Sequence, residues 1–415
     1  MKHKLLLILL LGSTNVLVLV FILQLGKVDL GKVPIFIKTA PKRSAPKIIK
    51  YKKDVQSKKG DHWGPFNKIQ PVISNITNNL EIPPNQLEYL ETVYKHTCPE
   101  HSRRKLNHRH ETQEDYRRYN NYSDVALLIV FNTAHYEVIP LLETMYRTSF
   151  PKILYCGPGE LPQKIIQWLS ISFISYGRSP RGRLDGAANY ECLTMAFSLK
   201  LNVTGYIFLG DDVMFNFWNL RLPKNIPWSS PQLIGDLSEK KTKECTYDNS
   251  LEDWFCYATK WTWWPPFRFA TLDALEHLQH VSKSSQVVHE CLENLKCRNG
   301  AAHRVNRGLA DIYYVPSKYA REYIELSTIF WKNKVWLEIA VPTILNCIAE
   351  ERPPIIPGSY FKDYTELRNK PWVHFPVNVD KVFFHPAKLS AVIEKSQDHV
   401  TYFCDVVMTE IVKNT

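Results

Sequence analysis

Two adjacent carboxylates, Asp211 and Asp212, follow a short apolar run in the stretch GYIFLGDDVMFNFWNL, residues 205–220. A second apolar run begins directly after them, so the pattern predicts that both lie at the end of a buried strand. Two like charges in such a place destabilise the folded chain unless a cation joins them. Oxygen ligands suit Mg²⁺ or Mn²⁺, which keep open coordination positions for substrate phosphates. The pair therefore predicts a divalent-metal site that binds a diphosphate, and the alternative is a surface turn in which an Asp caps the next element.

Acidic residues elsewhere are candidates for a general base. Glu338 lies in the apolar stretch WLEIAVP, and burial raises the pKa of a carboxyl group toward the range in which it can accept a proton from a hydroxyl. Asp311, at the start of DIYYVP, is a second candidate, as are Glu252 and Asp253. A structural ion pair is the alternative explanation for a carboxylate in an apolar helix.

Two further segments could contact a substrate. The basic loop GRSPRGRLDG, residues 177–186, precedes a predicted helix, and guanidinium groups and a helix N-terminus both favour phosphate oxygens. Arg183 and Asp185 are our candidates from this loop, and a solvated basic surface is the alternative. The segment DWFCYATKWTWWPPFRF, residues 253–269, is rich in aromatic rings that could stack on a sugar, with core packing or a lid as the alternative.

The order of the predicted elements indicates an α/β domain. Apolar runs predict strands at 124–132, 152–158, 172–177, 205–212, 231–237, 310–316 and 380–386. Helical spacing predicts helices at 136–150, 161–170, 184–201 and 336–348, and one or two within 271–297. Alternation of strand and helix favours a mostly parallel sheet, whose ligands gather at the carboxyl ends of the strands. Asp211 and Asp212 fall at one such end.

The N-terminal part of the chain has a different composition. LLLILLLGSTNVLVLVFILQL, residues 5–25, has about the ~20 residues needed to cross a bilayer, and lysines before it favour a cytoplasmic N-terminus. The residues after it are rich in Pro and Lys and have weak periodicity. The predicted organisation is a cytoplasmic tail at 1–4, a transmembrane signal anchor at 5–25, a lumenal stem at 26–118 and an α/β domain at 119–415. A cleaved signal peptide and secretion are the alternative.

The net charge, the cysteine count and the glycosylation sequons of the chain indicate its class of partner and its cellular compartment. The formal charge is +11, but basic residues cluster in polar runs at 41–60 and 101–118, which argues against nucleic-acid binding. In an oxidising lumen some of the nine cysteines should pair, and an odd number leaves at least one free or intermolecular. Glycosylation sequons begin at Asn75, Asn121 and Asn202.

These features together resemble a type II Golgi glycosyltransferase of the GT-A fold. The stretches GYIFLGDDVMFNFWNL, WLEIAVPTIL and VFFHPAKLS are, more narrowly, similar to the family that contains the plant STELLO proteins, over about residues 122–395 and not in the stem. The resemblance implies a GT-A-like, mostly parallel sheet with flanking helices. It also implies metal-dependent transfer of a sugar from a nucleotide sugar donor to a glycan or glycoprotein acceptor in the Golgi lumen. The sequence leaves open whether the protein forms a homodimer.

The resemblance assigns roles to individual residues. In the GT-A fold an Asp-x-Asp motif binds Mn²⁺ or Mg²⁺ and the donor, which implies Asp212 as a direct metal ligand. Asp211 then assists the metal or contacts the donor ribose, and His385 returns to the metal, as neutral imidazole can ligate it. This chain departs from the motif at Gly210, where the first acidic residue would stand. The missing carboxylate puts metal affinity, and catalysis, in question.

The remaining candidates take places around the donor and acceptor. Arg183, Asp185 and Asn132, which follows the first predicted strand, are expected to face the donor. Glu338 or Asp311 would be the base in an inverting reaction. One alternative is a catalytically silent GT-A-like protein that binds or escorts a lumenal partner. A glycoside hydrolase is disfavoured, because adjacent residues on a strand point to opposite faces and cannot flank one glycosidic bond.

Overall fold

The computed structural model describes residues 84–99, 122–176, 185–237, 246–248, 253–255, 264–360, 380–394 and 397–414. All of them lie within one compact unit, Gly64–Thr415. Several predicted features lie outside the described residues: the anchor at 5–25, Asn75, Asn121, Arg183 and Glu252. Among the residues that are described, none of the helices combines the length and the apolar character required to span a membrane.

The described elements follow one another in this order along the chain. The strands are β1 (Val125–Val130), β2 (Lys152–Pro158), β3 (Ser172–Tyr176), β4 (Gly205–Gly210), β5 (Met214–Phe215), β6 (Trp228–Ser229), β7 (Gln232–Asp236), β8 (Thr246–Asp248), β9 (Asp253–Phe255), β10 (Arg304–Gly308), β11 (Ile312–Pro316), β12 (Gly358–Tyr360) and β13 (Phe383–His385). The α-helices are α1 (Pro84–Thr97), α2 (Ile139–Tyr146), α3 (Gln163–Trp168), α4 (Asp185–Ser198), α5 (Trp264–Val281), α6 (Gln286–Asn299), α7 (Ala320–Lys332), α8 (Leu337–Ile348), α9 (Ser390–Ile393), α10 (Gln397–Tyr402) and α11 (Met408–Asn414). Short 3-10 turns lie at Tyr136–Val138, Phe217–Asn219 and Ser317–Tyr319, and a π-helical turn at Phe403–Val407.

The central sheet is mainly parallel, which confirms the predicted fold class at this level. Its strand order is β3-β2-β1-β4-β11-β6. Strands β3, β2, β1 and β4 run parallel, whereas β11 is antiparallel to β4 and to β6. All six residues of β1 and the first five of β4 are buried, as expected for strands covered on both faces.

Two hydrophobic cores cover the two faces of this sheet. Because side chains alternate along a strand, Leu127 and Ile129 of β1 join one core and Ala126 and Leu128 join the other. The first core also contains residues of α1, α2, α3 and the C-terminal helices. The second contains residues of α4, α5, α6, α7 and α8.

Local signals decide the helix boundaries in the second core. The predicted amphipathic segment at 271–297 forms parts of two helices, α5 and α6. Helix α6 begins after Ser285, whose hydroxyl accepts the Val288 N–H at 3.3 Å, and ends at Gly300 in the left-handed conformation. The described helix α7 was not predicted, although Tyr323, Leu326 and Phe330 form its buried face.

Helix α1 packs against the sheet domain although it lies in the segment predicted as stem. Leu90 of α1 is buried in the first core, and Gln86 contacts Glu143 of α2. The Cys98–Cys404 disulfide joins the end of α1 to the C-terminal helices, and Cys156–Cys192 and Cys291–Cys347 also pair. Among the described cysteines Cys297 is free and exposed.

Candidate functional site

Asp211 and Asp212 form the turn that directly follows β4. The parallel register pairs Val130 of β1 with Gly210 of β4, so both strands end at the same edge of the sheet. The Asp211 N–H donates to the Val130 carbonyl at 3.0 Å, and the Asn132 backbone N–H hydrogen-bonds to the Asp211 carboxylate. Asn132 therefore lies beside Asp211, and its predicted contact with the donor stays a prediction.

The C-terminal strand β13 returns His385 to this turn. Strand β5 begins two residues after Asp212, and β13 pairs with it antiparallel, with Phe384 opposite Met214. The Ala387 N–H donates to the Asp212 carbonyl at 2.6 Å. As a result the His385 Nε2 lies 3.2 Å from Asp212 Oδ1.

Lys388, three residues after His385, contacts the other oxygen of the same carboxylate. Its Nζ forms an ion pair with Asp212 Oδ2. Burial alone would raise the pKa of Asp212, but the charges of His385 and Lys388 hold it well below its usual range. Sequence analysis did not select Lys388; the available signal was its place inside the motif VFFHPAKLS.

Asp311 completes the cluster from the neighbouring strand β11. Its Oδ1 lies 3.7 Å from His385 Nε2, and its Oδ2 is buried and has no hydrogen-bond partner within the described part of the chain. Burial, together with the charge of Asp212, raises the pKa of Asp311, although His385 opposes the change. Burial lowers the pKa of His385, but Asp311 and Asp212 outweigh it and raise the value to about 9.

The two adjacent carboxylates differ strongly in their proton affinity. Burial and the charge of Asp212 raise the pKa of Asp211, whereas the charges of His385 and Lys388 lower that of Asp212. The two neighbours therefore favour different protonation states, which explains how two like groups coexist at the end of a buried strand.

Glu338 lies at the start of α8 and is electrostatically part of the same cluster. Its Oε2 accepts the Trp336 Nε1–H at 3.3 Å. Burial, followed by the charge of Asp311, raises the pKa of Glu338 to about 8, and His385 and Arg307 oppose the shift. A carboxyl group with such a pKa suits proton transfer near neutral pH. Arg307 on β10 is a further neighbour that the sequence analysis did not select.

The other candidates are placed less completely. Asp185 is the first residue of α4 and Asp253 the first of β9, but the structure describes only the backbone of each. Asn202 is exposed in the loop before β4. The cluster thus brings together Asp211, Asp212, Asn132, Asp311, Glu338 and His385 from the predicted set.

The donor atoms are of types that suit a divalent cation. As the side chains are placed, no three His, Cys, Asp or Glu residues of the described ranges are arranged to hold a metal ion. Nitrogens of His385 and Lys388 contact the Asp212 oxygens in this arrangement. Carboxylates suit Mg²⁺ or Mn²⁺, and imidazole is a further nitrogen ligand. The unpartnered Oδ2 of Asp311 beside this pair is an atom that a cation would satisfy.

Comparison with protein families supports the resemblance that the motifs indicate. No curated protein is significantly similar to the chain. Residues 78–229 match the family model described as STELLO glycosyltransferases. The match begins inside the predicted stem, so the likeness extends further toward the N-terminus than expected, and it ends before Glu338 and His385. The match confirms the resemblance seen in the motifs: over residues 78–229 the chain is similar to the STELLO glycosyltransferases, and the enzyme class that this supports is a glycosyltransferase.

Proposed function

We propose that the protein is a metal-dependent glycosyltransferase of GT-A-like fold. It moves a sugar from a nucleoside-diphosphate sugar to an acceptor hydroxyl of a glycan or glycoprotein. The observation that carries the proposal is the meeting of Asp212, His385 and Lys388 at the carboxyl edge of parallel strands β1 and β4. Ligands of α/β sheets bind at this edge.

Asp212 and His385 would hold the metal, and Asp211 would assist it or contact the donor ribose. When bound, the metal would stabilise the charge of the departing diphosphate. Lys388 adds an ammonium group of the chain itself, available to a phosphate oxygen. Asn132 is exposed beside Asp211, where it can hydrogen-bond to the nucleoside.

Glu338 acts as the general base in an inverting reaction. The acceptor oxygen forms a bond to the anomeric carbon while the bond from that carbon to the diphosphate oxygen breaks. The hydroxyl proton passes to the Glu338 carboxylate. Its raised pKa supports this role, because a base with a pKa near the working pH accepts a proton effectively.

The proposed setting is the Golgi lumen, with the chain anchored by residues 5–25 as a type II membrane protein. Three disulfides among the described cysteines support an oxidising compartment. The exposed sequon at Asn202 is compatible with glycosylation there.

Calorimetry on the full chain tests the function. A panel of nucleotide sugars is titrated in the presence of Mn²⁺ into the wild type and Asp212→Ala. We expect the wild type to bind at least one donor, and the variant to bind it at least about ten-fold more weakly, because loss of a charged ligand removes more than 1.4 kcal/mol. No binding to either protein would favour the catalytically silent alternative.

A further inference from the structure

Position 210, where the Asp-x-Asp pattern has its first acidic residue, is a glycine in this chain. We propose that Asp311 supplies the missing carboxylate from the adjacent strand, and that Asp311, Asp212 and His385 together bind the divalent cation. This inference rests on the proposed function, and it assigns Asp311 to cation binding instead of proton transfer.

The backbone places Asp311 beside Gly210. Strand β11 runs antiparallel to β4, and Ile312 pairs with Leu209, so the next residues to meet across the strands are Asp311 and Gly210. The Gly210 N–H donates to the Asp311 carbonyl at 2.8 Å. A Cβ at position 210 would lie 3.6 Å from that carbonyl and 3.6 Å from Asp212 Oδ1. A side chain at position 210 would therefore begin next to both Asp311 and the Asp212 carboxylate.

The side-chain distances agree with a shared ion. His385 Nε2 is 3.2 Å from Asp212 Oδ1 and 3.7 Å from Asp311 Oδ1. Ligands at right angles around an ion with bonds of about 2.1 Å lie about 3 Å apart. The His385 nitrogen is thus separated from each of the two carboxylates by slightly more than the distance between neighbouring ligands of one cation.

The partners of each carboxylate distinguish Asp311 from Asp211 as the additional ligand. Asp211 is engaged at the end of β1, where its carboxylate accepts the backbone N–H of Asn132. Asp311 Oδ2 is buried and accepts no hydrogen bond from any residue that the structure describes. If Asp311 only oriented His385, its Oδ2 would stay buried without a hydrogen bond, which destabilises the folded chain. A cation bound to this oxygen would remove that destabilisation.

Position 210 also permits a direct relocation test. An added Cβ there meets no atom closer than 3.5 Å, so the first side-chain carbon fits at position 210 without a steric clash. The variants are Asp311→Asn, the double variant Gly210→Asp with Asp311→Asn, and the matched control Gly210→Asn with Asp311→Asn. Each full-length protein is treated with a chelator, and Mn²⁺ alone is titrated by calorimetry without nucleotide.

We expect Asp311→Asn to weaken Mn²⁺ binding by at least about 10- to 100-fold, because loss of a residue that merely orients a metal ligand already costs this much. The double variant with Asp at 210 should recover most of this loss, and the Asn control should not. Unchanged affinity in Asp311→Asn, or no recovery in the Asp double variant, overturns the inference.

A second variant, Asp311→Cys, tests the same inference if Asp311→Asn does not fold. Thiolate prefers soft metals, so Asp311→Cys should bind Cd²⁺ and show additional thiolate-to-metal absorption, above the background that the exposed Cys297 gives in the wild type. Absence of that absorption in a folded protein speaks against ligation by residue 311. A wild type that binds nucleotide sugars but not Mn²⁺ refutes the shared cation while leaving sugar transfer intact. Failure to bind either refutes both proposals.

Discussion

Two clusters of buried polar side chains lie on or beside the central sheet, and they differ in how fully their atoms are paired. In the first, Glu143 of α2 receives the Arg147 guanidinium at 2.6 and 2.7 Å and the Tyr155 hydroxyl at 2.7 Å. In the second, at the carboxyl edge, Asp311 has a buried oxygen without a hydrogen bond from the described residues.

The difference separates a structural network from a binding site. Every oxygen of Glu143 has a donor, so the network is complete without any other molecule. The edge cluster combines three carboxyl groups with raised pKa values, Asp211, Asp311 and Glu338, around a single strongly acidic one. Perturbed groups in an accessible cluster are characteristic of a functional site.

The largest stability effect should come from the complete network. Glu143→Gln leaves the charge of Arg147 buried without its partner, so we expect the free energy of unfolding to fall by about 3–5 kcal/mol. Urea denaturation monitored by circular dichroism measures this free energy. Glu137→Gln is the matched control: that side chain is 47% exposed, and its loss should cost under about 0.5 kcal/mol. Equal effects of the two variants would contradict the distinction.

The second effect is a pH dependence that originates in the edge cluster. The folded-state pKa of Glu338, about 8, exceeds its ordinary value of 4.5, so the folded chain holds a proton that the unfolded chain has released. Its contribution to stability is therefore full below about pH 4.5, is lost as the pH rises toward 8, and is constant above.

Urea denaturation of the chelated protein between pH 5 and 8, as approximate limits, measures this dependence. Glu338→Gln should flatten the decline by a few kcal/mol, because one pKa unit corresponds to about 1.4 kcal/mol. Parallel stability profiles for wild type and variant would show that Glu338 does not cause the dependence.

A smaller effect is expected from Asp311→Asn. The asparagine keeps the shape of the side chain and removes a carboxyl group whose ionised form burial disfavours, so stability at neutral pH should stay within about 1 kcal/mol of wild type. The same urea measurement applies. A loss as large as that of Glu143→Gln would place Asp311 among the structural groups.

The comparison also shows what sequence patterns can predict. Asp211 and Asp212 were identified because a buried strand with terminal carboxylates is a local pattern, and the parallel strands around them follow from alternating apolar segments. The partnership of Gly210 with Asp311 depends on antiparallel pairing between strands about 100 residues apart, a register that composition and periodicity do not encode. The Gln86–Glu143 contact depends likewise on how α1 packs.

Some omissions had a visible signal. Helix α7 has the buried spacing of Tyr323, Leu326 and Phe330, which an amphipathic pattern predicts, so its omission was an error of interpretation and not a limit of the sequence. Lys388 had only a weak signal, its place inside the motif VFFHPAKLS. A lysine in an apolar motif is usually solvated, and its role appears only when β13 returns it to Asp212.

Replacement of Lys388 should have the smallest effect on stability, and it tests whether the edge cluster contacts phosphate directly. Its side chain is 35% exposed, so water screens the pair with Asp212, and Lys388→Met should change the free energy of unfolding by less than about 1 kcal/mol. The effect on binding of a nucleoside diphosphate should be larger, because a charge-assisted hydrogen bond to phosphate is strong. Titration with UDP and GDP in the presence of chelator should show affinity reduced roughly ten-fold in Lys388→Met and largely kept in Lys388→Arg. If Lys388→Met binds these diphosphates as tightly as wild type, the ammonium serves only to neutralise Asp212, and the edge cluster lacks a phosphate contact of its own at this residue.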